Sequence, residues 1–311
     1  MRVGVVGARG HVGGELLRLL SRHPRLELAL VTSRELEGRA VRDKVPELAT
    51  DLRFENLGPE ACADRALDAY VLALPDGTSE AYVWGGTSAV LVDLSSDHRF
   101  DDAWVYGQPE RNRSAIRGAK RIANPGCYAT ALQLALDPLL DELAGTPHAF
   151  GVSGYSGAGT TPSPRNDPEV LRDNLVPYTL VDHTHEREVT RQLGREVYFL
   201  PHVAPFFRGI TITLSLTLAE ERSREDIETL LKARYEGERL VRVVGPVPHV
   251  RDIVGRHEVV IGGVHVTKGG THAAVVACID NLLGGAATQA VRNLNLALGL
   301  PELEGIDAWL D

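Results

Sequence analysis

Two periods of apolar residues run along this chain. Arg2-Val3-Gly4-Val5-Val6 is a short apolar run and predicts a buried strand. From about Val12 the spacing changes, and Leu16, Leu17, Leu19 and Leu20 give the apolar face of a helix. Leu26 to Val31 predicts a second strand, and Val71 to Leu74 and Val90 to Leu94 predict two more. Strands alternating with helices predict βαβ units and a parallel sheet.

The texture changes after about Gly145. Ile210, Ile212, Leu214, Leu216 and Leu218 alternate with Thr211, Thr213, Ser215 and Thr217, the period of a strand with one buried face. Val241 to Val244, Glu258 to Val266 and Ala273 to Cys278 are further strand candidates. A helix interrupts them, opened by Ser223 as N-cap and carrying Ile227, Leu230 and Leu231. This half predicts an α+β domain on an antiparallel or mixed sheet. The tail from Asn281 to Leu298 returns to helical spacing through Leu282, Ala286, Ala290, Leu294 and Leu298. The polar, proline-rich stretch Thr160 to Pro168 predicts an exposed loop.

Length and charge narrow the class. The 311 residues suffice for two ordinary domains, and a net charge of −9 disfavours nucleic acid, whose phosphates call for a basic face. Three cysteines, Cys62, Cys127 and Cys278, make neither a disulfide framework nor a metal-type CxxC. No apolar run reaches the roughly 18 residues of a membrane span. The expectation is a cytoplasmic protein that binds neither membrane nor metal.

Gly7-Ala8-Arg9-Gly10-His11-Val12-Gly13 stands between the first strand and the first helix. Glycines there let the backbone approach a pyrophosphate, whose charge then sits at the helix N-terminus. The second strand ends in Val31-Thr32-Ser33-Arg34, where an NAD-specific fold usually carries an acidic residue for the ribose hydroxyls. A hydroxyl and a guanidinium suit the 2′-phosphate of NADP instead. Glu35, one residue on, argues the other way.

Asn124-Pro125-Gly126-Cys127-Tyr128-Ala129-Thr130 carries the most chemistry. A helix begins here with Leu132, Leu136 and Leu139 on one face. Cys127 therefore lies near the positive end of a helix dipole, which favours thiolate over thiol. Cys278, inside an apolar run, reads as a buried and inert thiol. A thiolate nucleophile needs a proton carrier, and His183-Thr184-His185-Glu186-Arg187-Glu188 offers two imidazoles and two carboxylates. On a helix a carboxylate three residues on is within reach of either histidine, so spacing leaves His183 and His185 both open.

With these motifs the chain resembles the N-acetyl-γ-glutamyl-phosphate reductases, and the resemblance runs almost end to end. Besides the glycine and cysteine motifs it includes residues 72–77, 93–99, 106–110, 153–159, 201–209 and 280–286. It implies a Rossmann-like NADP domain, residues 1–127 with 281–311, and a catalytic and dimerisation domain, residues 128–280. Cys127 would be the nucleophile, with His185 as acid/base beside Glu188. Gly7, Arg9, Gly10, His11, Val12, Gly13, Ser33, Arg34, Pro75, Ser95 and Asn281 would contact NADP, Asn281 near the nicotinamide. Arg99, Ser153, Ser156, Gly157, His202 and Arg208 would face the substrate and its phosphate. Where relatives often carry His, Pro and Lys, this chain has Asp76, Arg187 and Gly284.

The implied reaction forms a thioester from the acyl phosphate at Cys127 and reduces it with NADPH to N-acetyl-glutamate semialdehyde, a step of arginine biosynthesis. A homodimer or homotetramer is implied as well. Rival readings share the chemistry on another substrate, as in aspartate-semialdehyde dehydrogenase or a lysine-pathway relative on a carrier-linked substrate. A rival of another class is an NADP-binding sensor, which needs neither Cys127 at a helix start nor the His183–Glu188 cluster.

Overall fold

A computed structural model describes residues 1–85 and 87–306. The chain folds as two compact units, Met1–Gly126 with Ala286–Asp311, and Cys127–Gly285. Residues 307–311, the end of the tail assigned above to the NADP domain, lie outside the described residues.

The first unit runs β1 (Arg2–Val6), α1 (His11–Ser21), β2 (Glu27–Val31), α2 (Val41–Lys44), α3 (Pro59–Ala63), β3 (Ala69–Leu72), β4 (Val90–Asp93), β5 (Val105–Tyr106), α4 (Pro109–Ile116) and β6 (Arg121–Ala123). The strands form one parallel sheet in the order β2-β1-β3-β4-β6-β5. This is the parallel sheet that the alternating pattern predicts, and it is Rossmann-like, as the resemblance implies. β3 and β4 are buried along their length, which explains why they read as unbroken apolar runs.

The second unit runs α5 (Cys127–Leu136), β7 (His148–Gly154), α6 (Pro168–Leu171), β8 (Val176–Pro177), α7 (Thr184–Leu193), β9 (Tyr198–Ala204), β10 (Ile210–Thr217), α8 (Arg224–Arg234), β11 (Val241–Val243), α9 (Val250–Ile253), β12 (Val259–Val266) and β13 (His272–Ile279). Its seven strands make a mixed sheet, β11-β12-β13-β10-β7-β9-β8. Along β10, Ile210, Ile212, Leu214 and Leu216 are fully buried, and α5, α7 and α8 share that core. α8 starts with the predicted Ser223 cap, completed by Asp226 as a capping box.

The tail departs from the expected single helix. Leu283–Ala287 is a wide π-type turn, and the α-helix, α10 (Thr288–Ala297), starts only after it. α10 is buried on every side against α1, α4 and β4 of its own unit. Its Arg292, 2% exposed, is held by Glu110 at 2.7 Å and Glu302 at 2.6 Å.

Candidate active site

In the first unit, β1 turns into α1 through the glycine motif. Gly7 has φ +83°, a left-handed conformation suited to glycine. A Cβ on Gly7 would lie 2.6 Å from the Ala73 carbonyl oxygen, and one on Gly13 2.6 Å from that of Ala8. A Cβ on Gly10 would meet nothing within 4 Å. Two glycines thus let the chain pass close to itself, and the third leaves the start of α1 open to a phosphate, so the cradle fits a dinucleotide. His11 and Val12, half-buried, open the helix behind it.

The end of β2 borders this turn. Thr32 Oγ1 accepts the Gly7 N–H at 3.1 Å. Ser33 is buried and its Oγ accepts the Leu36 N–H at 3.2 Å, so it shapes the bend. Arg34 is exposed, and Arg9 pairs with Glu35 at 2.5 Å. Pro75 is exposed, and the loop it opens is stitched to the one after β4. Asp97 accepts the Gly77 and Ser79 N–H groups at 2.6 and 3.1 Å, and Asp76 accepts that of Ser96 at 2.8 Å. Asp76, a departure from the usual histidine, thereby serves as an acceptor. Ser95 Oγ donates to Asp93 at 2.6 Å, and burial raises the Asp93 carboxyl above the usual range. Arg99 is in this unit too, donating to the carbonyls of Asn124 at 3.0 Å and Leu94 at 2.8 Å.

The second unit begins with Cys127, half-buried as the first residue of α5. Glycine alone fits opposite it: a Cβ on Gly285 would lie 2.7 Å from the Cys127 Cβ. The other two thiols are of another kind. Burial pushes Cys62 up to about 11 and raises Cys278 too, which keeps both protonated. Tyr128, next after Cys127, donates to the His202 carbonyl at 3.0 Å, and its ring stands 5.9 Å from that of His185.

The two histidines of the 183–188 cluster take different positions. His183 is the N-cap of α7, its Nδ1 accepting the His185 N–H at 3.1 Å. Burial, with Arg165 adding to it, lowers the His183 pKa to about 4, so the ring is neutral and committed to the cap. Glu186 is committed as well, accepting the Asp182 and Phe199 N–H groups at 3.0 and 2.7 Å. His185 lies half-buried in the first turn of α7, and Glu188 is fully buried on the same helix.

The segments 153–159 and 204–209 are joined by backbone bonds, Gly154 to Gly209 at 2.9 Å, Tyr155 to Phe206 at 3.0 Å and Ser156 to Phe207 at 2.9 Å. Asp280 and Asn281, after β13, fix both. Asn281 accepts the Gly209 N–H at 2.7 Å and donates to Ser156 Oγ at 3.0 Å. Asp280 binds Arg208 through both oxygens, at 2.9 and 2.7 Å, and also accepts the N–H groups of Gly255, Leu282 and Leu283. Ser153 is buried, with its Oγ 2.9 Å from where a Gly157 Cβ would stand. His202 is half-buried on β9, Nδ1 3.1 Å from the Leu200 carbonyl.

The second unit therefore holds Cys127, His185, Glu188, Ser153, Ser156, Gly157, His202 and Arg208, together with Asn281, assigned above to the cofactor. The first holds the glycine motif, Ser33, Arg34, Pro75 and Ser95, together with Arg99, assigned above to the substrate. Sequence reasoning missed Asp280 as an anchor. It also missed Tyr178, whose phenol is raised by burial and then by the charge of the nearby Cys127. Arg165 lies 5.0 Å over the Tyr178 ring. Asp280 lies in the 280–286 motif, which marks the segment but not the anchoring role; Tyr178 sits in a stretch without apolar period, and nothing in the sequence marks it.

The semialdehyde dehydrogenase NAD binding domain family matches residues 2–119, and the semialdehyde dehydrogenase dimerisation domain family matches residues 127–281. N-acetyl-gamma-glutamyl-phosphate reductase of Stenotrophomonas maltophilia is 54% identical over 98% of this chain and 97% of its own. That of Xylella fastidiosa is 52% identical over 98% and 94%. Among solved structures, aspartate semialdehyde dehydrogenase II of Vibrio cholerae superposes with a TM-score of 0.76 at 20% identity, covering 96% of this chain and 98% of the other. The Candida albicans aspartate semialdehyde dehydrogenase with NADP gives 0.72 at 18% identity over 96% and 99%. At these identities the structures speak for the fold.

Proposed function

Since the chain belongs to the N-acetyl-γ-glutamyl-phosphate reductases, within the semialdehyde dehydrogenases, we propose that Cys127 is the residue on which it reduces its acyl phosphate to the semialdehyde. The observation that carries this reading is the position of Cys127, half-buried at the first residue of α5, whereas burial keeps the other two thiols of the chain inert. The thiolate attacks the γ-acyl carbon of N-acetyl-γ-glutamyl phosphate, the C–O bond to phosphate breaks, and a thioester remains on Cys127. Bound NADPH supplies the hydride that reduces it. His185 donates a proton to the oxygen that becomes charged as hydride arrives, and takes it back as the C–S bond breaks and N-acetyl-glutamate 5-semialdehyde leaves.

Gly7, Gly10 and Gly13, at the start of α1, would hold the cofactor's pyrophosphate. Arg208, clamped by Asp280, and Ser156, held by Asn281, orient the substrate; Asn281 then acts by positioning. The test is turnover in reverse, with N-acetyl-glutamate semialdehyde, phosphate and NADP. Activity with aspartate semialdehyde and none with the N-acetylated compound would overturn the substrate.

The sheet face of the second unit opposite α5 seats a second copy of this chain. Phe150, Tyr198 and Leu200 are 40, 44 and 38% exposed there, on adjacent strands of a domain matched by a dimerisation family. We assign the reaction to the cytoplasm on the chain's likeness to the bacterial N-acetyl-γ-glutamyl-phosphate reductases; no helix among the described residues is long and apolar enough to cross a membrane.

A further inference from the structure

We propose that Lys44 sets the cofactor preference, its ammonium receiving the 2′-phosphate of NADPH beside the glycine turn. The inference rests on the reading of the first unit as the NADPH site and adds a residue that the sequence motifs do not mark.

Lys44 closes α2, a single turn after β2. Its Nζ donates to the Arg9 carbonyl oxygen at 2.5 Å, within the glycine motif. Its Cε is 3.8 Å from the point where a Cβ on Gly14 would stand, and the Arg18 Nη1 is 3.7 Å from the same point. Lys44 and Arg18 thus flank Gly14 in the first turn of α1, and Arg9, just before the helix, is the third cation of the neighbourhood. Two are neutralised nearby, Arg9 by Glu35, and Arg18 by Glu47 and Glu15. Lys44 forms no ion pair among the described residues; the carbonyl is its partner. It is half-buried, and burial, then Arg18 and Arg9, lower its pKa.

An ammonium in such surroundings is short of negative charge, and a phosphate dianion would supply it. The place within the site follows from Arg9. Its side chain reaches Glu35, just past β2, the end of the strand at which this fold holds the adenosine ribose. The Lys44 ammonium is bonded to the backbone of that same residue. On this proposal the ammonium faces the ribose, where NADP and NAD differ by one phosphate. The Arg9–Glu35 pair also answers the objection raised by Glu35, whose charge is already matched.

The test uses the full-length protein and its Lys44→Ala, Lys44→Gln and Lys44→Arg variants. Dissociation constants are measured for NADPH and NADH, and by competition for 2′,5′-ADP and 5′-AMP. Loss of a charge-assisted bond predicts that Lys44→Ala weakens NADPH and 2′,5′-ADP by about tenfold or more, with NADH and 5′-AMP changed by less than about twofold. Lys44→Arg should keep most of the preference. Lys44→Gln, which can still donate to the Arg9 carbonyl without a charge, should behave as the alanine variant does. Equal weakening of all four ligands, or full rescue by glutamine, would show that Lys44 only braces the turn and would overturn the proposal. Wild-type protein that binds neither NADPH nor NADH would instead sink the cofactor reading itself, a separate outcome.

Discussion

Cys127, Cys62 and Cys278 carry the same thiol in three surroundings. Cys127→Ser should abolish turnover while NADPH still binds, since the glycine motif is untouched. Cys62→Ser and Cys278→Ser should retain activity, apart from a packing loss where the thiol is fully buried. Steady-state rates with a cofactor titration on each variant check this, and near wild-type activity in Cys127→Ser would end the mechanism.

His183 and His185 divide in the same way. His185→Ala should lower the maximal rate by about 10²–10⁴-fold, the usual worth of general acid–base help. His183→Ala should instead cost about 1 kcal/mol of stability, as the loss of a cap does, and His183→Asn should restore most of it. The pH dependence has a definite sign. The folded-state pKa of His183 is about 4, below the ordinary 6.5. Its contribution to stability is full above pH 6.5 and is lost as pH falls from there toward 4, because the unfolded chain takes up the proton first. The fall in melting temperature between pH 7 and 4.5 should therefore be smaller in His183→Asn than in the wild type. If His183→Ala folds normally and has the greater rate loss, the two roles exchange. Spacing alone could not make this choice, and only the resemblance pointed to His185. Each histidine has a glutamate at the third position, and what separates them is a backbone N–H at the start of α7 and another from β9, distant in sequence.

Elements with a clean period were legible and those without were not. β10 and α8 followed from alternation and a capping serine. β7 and β9 were not foreseen: their outward positions carry Phe150, Tyr198 and Leu200, which blur the alternation, and Pro201 interrupts β9. The π-type turn was hidden because Leu282, Ala286 and Ala290 keep a helical spacing across it. That turn places Gly285 against Cys127. Gly285→Ala should push the start of α5, since the added methyl would meet the Cys127 Cβ and Cα at 2.7 and 3.1 Å. We expect a loss of about 1–3 kcal/mol, the cost of overpacking, with a fall in the maximal rate at unchanged cofactor affinity. Denaturant unfolding and single-turnover kinetics measure the two effects, and a variant indistinguishable from wild type in both would refute the packing argument.

For the whole molecule, the prediction concerns assembly. Phe150 and Leu200 are register partners on β7 and β9, and both are exposed. Replacing both by lysine puts charge into the face assigned to a second copy. Sedimentation should show the wild type as a dimer or larger and the double variant as a monomer; an unchanged oligomer would place the interface elsewhere. The two-sheet plan was legible, because a change of apolar period marks a change of sheet type. The sheet face was not, since no period distinguishes exposed apolar residues that await a partner from those that do not.

The chain leaves the first unit after Gly126 and re-enters it at Ala286. Within the second unit these ends touch, Gly285 standing against Cys127; within the first, the Asn124 amide donates to the Ala286 carbonyl at 3.4 Å. In chain order the second unit is thus an insertion in the first. The ends it would leave behind are close enough to be joined by a few residues. An engineer could lift the insert out, seal the gap, and keep a small nucleotide-binding module, or join a different insert to the same two ends.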